Sequence, residues 1–184
     1  MDESQAIKRL KKGDISGLEF LITRYQVRAV RTAFLITHDE KMAEDVVQDT
    51  YLRIYQRIHH FDETQPFEPY FLRSVAHAAL NAAEKSSRQV TLSEDDEPVI
   101  LEQLIRSAST TEDLVDYTLL KQEIFSVLAK LSPRERSVIV ERYYLEMSEK
   151  EMADKHSIAP GTVKWLLNEA RRHLRAFMKP EGES

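Results

Sequence analysis

SEKEMADKHSIAPGTVKWLLNEARRHLRAFM, residues 148–178, reads as helix, tight turn, helix. Ser148 and Glu151 stand at capping-box spacing, which marks a helix start. His156, Ser157 and Ile158 interrupt the pattern. Pro160 restarts it, because its fixed φ suits the first helical position. In the second helix Val163, Leu166, Leu167, Ala170, Leu174 and Phe177 share one apolar arc. Lys164, Trp165, Asn168, Arg171, Arg172 and Arg175 lie on the other side. From Lys164 to Lys179 there are five Lys or Arg against one acid, Glu169. A helix that buries one face and shows Lys, Arg, Asn and an aromatic on the other suits a DNA major groove. The basic groups would neutralise phosphates, and Asn or Arg can pair with base edges. The plainer alternative is a solvated amphipathic helix, so the rest of the chain has to decide.

Composition narrows the choice. The chain has 184 residues, 42% hydrophobic and 31% charged, with four glycines and six prolines. Together with long stretches of 3.6-residue period, this points to an all-α protein of one domain or two small ones. No apolar run is long enough to span a bilayer, and MDESQAIKRLKKGD at the N-terminus lacks a signal-peptide core. Without cysteine the chain offers no disulfide, thiolate zinc site or thiol switch. The expected location is cytoplasmic, with no membrane insertion. The net charge of −5 argues against a general nucleic-acid coat, but its distribution is uneven. Residues 1–91 carry 13 basic and 13 acidic residues. Residues 92–117 carry one basic and eight acidic, and residues 118–184 carry 12 basic and ten acidic. The acidity is concentrated in the middle.

Taken in order, residues 3–12 suit a short amphipathic helix ended by Gly13 and Asp14. A second helix is expected from about Ile15 to Ile36, with Leu18, Leu21, Ile22, Tyr25, Ala29 and Ala33 as its stripe. Thr37 and Glu40 are again spaced as a capping box. The third helix, about Glu40 to Ile58, has Ala43, Val46, Val47, Thr50, Tyr51, Ile54 and Ile58 on one face. Its other face shows Asp45, Gln48, Asp49, Leu52 and Gln56, with Arg53 near the edge. This row suits either a docking strip for another protein or an ordinary wet face. After a polar loop, HHFDETQPFEP, a fourth helix is expected from about Phe67 to Lys85, apolar through Phe71, Leu72, Val75, Ala76, Ala79 and Leu80. Residues 86–116 look like a linker that is too polar and acidic to fold alone, around a short apolar patch at Val99 to Ile105. The helical pattern returns from about Leu114, with Tyr117, Leu120, Ile124, Val127, Leu128 and Leu131. Ser132-Pro133-Arg134-Glu135 then combines an N-cap, Pro at N1 and Glu at N3. The expected organisation is two small helical domains, 1–90 and 114–179, joined by an acidic linker at 91–113 and followed by a tail at 180–184.

Catalytic patterns are lacking. There is no Gly-rich phosphate loop, no Ser nucleophile elbow and no HExxH on a helix. The histidines are scattered apart from His59-His60 in a loop, and Asp95 and Asp96 sit in the linker. The expectation is a non-enzyme with no cofactor and no metal.

Three stretches together resemble the extracytoplasmic-function (ECF, group IV) sigma factors of bacterial RNA polymerase, in the sigma-70 family. AEDVVQDTYLRIYQRIHHFD, residues 43–62, is similar to the family's helix with AED, a Gln three residues after the Asp, then an aromatic. PFEPYFLRSVAHAALN, residues 66–81, resembles its F-x-x-W-L-x-x-I-A-R-N segment. LSPRERSVIVERYYLEMSEKEMADKHSIAPGTVKWLLNEARRHLR, residues 131–175, is similar to its C-terminal domain, with GTVK at the recognition helix.

The resemblance implies a region 2-like bundle and a region 4-like helix-turn-helix. It implies that Asp45, Gln48, Asp49, Leu52 and Arg53 meet core RNA polymerase. It implies that Phe61, Asp62, Tyr70, Arg73, His77, Asn81 and Lys85 handle the −10 element, where single-strand capture needs stacking surfaces and a basic track. Thr162, Lys164, Trp165, Asn168, Arg171, Arg172 and Arg175 would read the −35 element of promoter DNA. An anti-sigma factor is an expected partner. The sequence departs from the family pattern at several of these places. Tyr70 stands for Trp, His77-Ala78 for Arg-Asn, His156-Ser157 for the turn's Leu-Gly, and Trp165-Leu166 for Ser-Arg. Base preference therefore does not carry over. Trp165 would touch DNA, or pack against the first domain or an inhibitor. The leading expectation is a sigma factor that directs promoter-specific initiation. The alternatives are a stand-alone helix-turn-helix regulator, and a degenerate sigma-like protein that binds polymerase or an anti-sigma factor without opening promoters.

Overall fold

A computed structural model describes residues 1–89 and 124–178. In the first unit α1 is Glu3–Lys11, α2 Ser16–Thr37, α3 Glu40–Arg57 and α4 Phe67–Gln89, with a 3-10 turn at Ile58–His60 before the loop that leads to α4. In the second, residues 124–129 form α5. Next come α6 at Pro133–Ile139, α7 at Glu149–His156 and α8 at Pro160–Met178. The expected linker and tail lie outside the described residues, as do Tyr117, Leu120 and the Val99–Ile105 patch.

Among the described residues three capping boxes start helices: Asp2 with Gln5, Ser132 with Glu135, and Ser148 with Glu151. Each satisfies donors that the helix's first turn leaves unpaired. The Thr37–Glu40 box expected before α3 does not form. Thr37 is the last residue of α2, and the cap is Asp39, whose carboxylate accepts from the Met42 N–H at 2.8 Å. Thr37 bonds Asp39's backbone instead, and His38 between them is left-handed at φ 56°. Helix α4 also runs on to Gln89, past the expected end at Lys85.

Core residues of the first unit follow the expected stripes. All seven residues chosen for the inner face of α3 are buried, as are all six chosen for α4. Tyr25, Tyr51, Phe67 and Phe71 form an aromatic centre, with Tyr51 and Phe71 ring centroids 4.5 Å apart. Burying each such side chain stabilises the bundle by about 1.5–3 kcal/mol before ordering costs. Helix α1 closes one side through Ala6, Ile7 and Leu10. It lies so close to α2 that a Cβ at Gly17 would overlap the Ala6 carbonyl.

The second unit packs Leu128, Leu131, Val138, Met147, Met152, Val163, Leu167 and Ala170 together. Val140–Tyr144 continues α6 as a π-helical turn, with the Leu145 N–H reaching the Val140 carbonyl at 3.0 Å. Ser157, left-handed at φ 54°, makes the turn between α7 and α8. Helix α5 faces inward through Phe125, Val127 and Leu128, whereas Ile124, expected inside, is 47% exposed.

The two units pack on each other. Phe125 and Val140 of the second unit belong to the first unit's core. Arg136, 7% exposed, donates across the junction to the carbonyl of Ile36 at 2.7 Å and within its own unit to those of Leu131 and Ala129. Ile36 O belongs to the last turn of α2, where carbonyls lack intrahelical partners, so one buried guanidinium ties a helix end to a neighbouring domain.

Candidate protein and nucleic-acid interfaces

On α3 the inner face is filled by the core, so the residues between are forced outward. Asp45, Gln48, Asp49, Leu52 and Arg53 are all exposed, Leu52 at 57%. Of these, Gln48 and Leu52 border a groove of about 400 Å³ between α2 and α3, lined by Leu18, Ile22, Gln26 and Val30 on one side and by Glu44, Gln48 and Leu52 on the other. A groove with an apolar floor and an acidic, amide-bearing rim can seat a helix that carries apolar and basic residues. The contribution of α2 was the harder part to foresee. Ile22 counts toward the helix stripe by spacing but is only half-buried and lines the groove.

Helix α4 presents Tyr70, Arg73, His77, Asn81 and Lys85 along one side. Tyr70, Asn81 and Lys85 are exposed. Phe61 is not a surface group: it is 6% exposed, and its ring packs on Tyr70 at 4.9 Å and edge-on to Phe67 at 5.5 Å. It supports the Tyr70 ring from beneath. Asp62 is exposed, and its carboxylate is held below the usual range by hydrogen bonds from the backbone and hydroxyl of Thr64. The Phe61 carbonyl accepts from Lys11 Nζ at 2.9 Å, which anchors the loop to α1.

Arg73 and His77 lie beneath the second unit. Arg73 pairs with Glu151 of α7. Glu151 sits below the usual carboxylate range, first through the Ser148 backbone and hydroxyl, then through Arg73. The His77 ring stands 5.7 Å from that of His156, and its Nδ1 is buried without a hydrogen-bond partner. His156 in turn meets both oxygens of Glu141, 1% exposed, at 2.8 Å. A further ion pair joins Glu84 of α4 to Arg134 of α6 at 3.4 Å.

Val163, Leu166, Leu167 and Ala170 of α8 are buried, so its outer face is fixed. Thr162, Lys164, Trp165, Asn168, Arg172 and Arg175 are exposed, Trp165 at 60% and therefore not packed on the first unit. Arg171 is half-buried. Its Nε donates to the Tyr143 hydroxyl at 2.8 Å and its Nη1 to Asn168 at 3.2 Å. This brings Tyr143, 58% exposed on the π-helical turn, beside the outer face of α8. Only the fold, not its sequence context, brings it there.

Among the described residues, no group of three or more His, Asp or Glu is placed to hold a metal, and no helix is long and apolar enough to cross a membrane.

The chain is similar to known proteins in sequence and in fold. The sigma-70 region 2 family model covers residues 21–89, and the sigma-70 region 4 model covers residues 121–174. The chain is 33% identical over 153 residues to the ECF RNA polymerase sigma factor SigL of Mycobacterium tuberculosis, 83% of each chain. It is 25% identical over 177 residues to the ECF RNA polymerase sigma factor SigW of Bacillus subtilis, covering 94% of this chain and 95% of that one. Two solved structures share the fold. The sigma factor RpoE of Bartonella quintana, in complex with the anti-sigma factor NepR, aligns with TM-score 0.62 at 19% identity over 89% of this chain and 97% of that one. CnrH, in complex with the cytosolic domain of CnrY, aligns with TM-score 0.60 at 22% identity over 96% of each.

Proposed function

The chain belongs to the ECF RNA polymerase sigma factors of the sigma-70 family, and from that premise we propose how its surfaces share the task. The protein is a promoter-directing sigma factor that binds core RNA polymerase and promoter DNA. The exposed α3 strip of Asp45, Gln48, Asp49, Leu52 and Arg53, with the α2–α3 groove that Gln48 and Leu52 line, docks on the polymerase. Tyr70 stacks an unpaired base of the −10 strand, over Phe61, while Arg73, His77, Asn81 and Lys85 follow the backbone with Asp62 at the loop. The α8 face from Thr162 to Arg175 enters the −35 major groove, with Trp165 against base edges and the arginines on phosphates. The protein acts by binding, carries out no reaction of its own, works in the cytoplasm and is held by an anti-sigma factor when idle.

The observation that carries this reading is that one chain joins an exposed acidic strip over an apolar groove to a helix-turn-helix with a basic outer face. In vitro transcription tests it, with purified chain, core polymerase and fragmented genomic DNA. Discrete starts that share −35 and −10 elements are expected. D45A with Q48A should lower their yield about tenfold or more, and polymerase retention with it. Stable polymerase binding with no starts would leave only the adaptor reading, and no polymerase binding would leave a stand-alone regulator.

A further inference from the structure

Both buried side-chain nitrogens without a hydrogen-bond partner, among the described residues, belong to histidines at the junction of the two units: Nδ1 of His38 and Nδ1 of His77. We propose that this junction is a proton-sensitive latch, closed while His38 and His77 are neutral and released when they gain protons.

His38 sits at the end of α2. Its ring stacks on Phe34 at 6.0 Å and on Phe125 of α5 at 4.8 Å. The charged group facing it from α6 is Arg136. The nearby carboxylate of Asp39 is engaged with the Met42 N–H as the cap of α3. A proton on His38 would thus place a cation beside a buried guanidinium, shielded from water by Phe125, with no acceptor at Nδ1.

His77 has a similar setting at the other end of the junction. From α7 it faces Lys155 and His156, and one turn earlier on its own helix stands Arg73. The acids within reach are already engaged: Glu141 by His156 and Ser137, Glu151 by Arg73 and the α7 cap. Glu141 favours a charged His77, but burial, Lys155 and His156 together outweigh it.

Burial is the first cause of a lowered pKa at both histidines, followed at His38 by Arg136 and at His77 by Lys155 and His156. When the units separate, both rings meet water and regain an ordinary value of about 6.5. The closed form therefore binds fewer protons than the open one. Its advantage is complete above about pH 6.5 and is lost as pH falls from there through the closed-state values. Each histidine can shift the open–closed ratio by up to about tenfold per pH unit, and the two together by up to about a hundredfold.

This inference concerns the free chain and does not rest on the promoter reading. The absence of cysteine makes it directly measurable. Donor and acceptor dyes are placed on Lys12→Cys and Lys150→Cys, exposed positions in the two units, and energy transfer is followed from about pH 8 to about pH 5 without polymerase or DNA. Transfer should fall with acid while far-UV circular dichroism stays constant. In H38F with H77F, which keeps aromatic rings and removes the titrating nitrogens, the fall should vanish. Each single substitution should reduce its slope about tenfold per pH unit at most, so the test does not depend on the double variant folding. A flat wild-type curve, an unchanged fall in these variants, or helicity lost in step with transfer would overturn the proposal.

Discussion

Arg136 shows how much one side chain can carry. Its guanidinium satisfies three carbonyls from two domains, and burial draws its pKa below the usual value, with no carboxylate partner among the described residues. Arg136→Met should leave these acceptors unpaired and lower unfolding free energy by about 3 kcal/mol in urea titrations. Arg136→Lys should recover little of this, because one ammonium cannot match the planar fork. Nothing in the SPRER stretch marks that arginine as buried. Its role comes from the end of α2, a hundred residues earlier in the chain. Phe61 is a parallel case. The resemblance puts it among strand-handling residues, whereas packing turns it under Tyr70. Trp165 was open to two readings by sequence, and its exposure removes packing on the first unit.

At the scale of elements the sequence is most legible where local chemistry decides. The stripes of α3 and α4, and the Ser132 and Ser148 caps, depend on neighbours within one helix, so spacing suffices to find them. The misplaced cap at Thr37 illustrates the limit. Thr37 and Asp39 both precede acceptable partners, and the choice falls to Asp39 because α2 continues through Thr37. The α1–α2 contact was not legible either, since an isolated glycine at the start of a helix gives no sign of what approaches it. Gly17→Ala should force α1 away from α2 and cost about 1–3 kcal/mol, read as a lowered thermal midpoint and faster proteolysis at the N-terminus.

For the whole molecule, the two helical domains are visible in composition and motif, but their mutual packing is not. It is made by single residues far apart in sequence: Phe34 with Phe125, Arg73 with Glu151, Glu84 with Arg134, His77 with His156. No periodicity encodes such pairs. His77 and His156 did stand out as departures from the family pattern, in separate motifs, and folding brings them together. Glu151→Gln keeps the capping geometry of α7, which Gln can supply, and removes the charge that holds Arg73. The pair is partly exposed, so its loss is worth little to stability. Fluorescence anisotropy with the free chain should nonetheless show single-stranded −10 DNA binding about two- to fivefold tighter than wild type.

On the proposed reading of α4, Arg73 has one guanidinium and two rival claimants, Glu151 and the phosphate of an unpaired strand. Each can hold it only when the other has let go. Capturing the strand and parting the domains are then two sides of a single exchange. By reciprocity, the factor by which open domains strengthen strand capture is the factor by which a captured strand favours their opening.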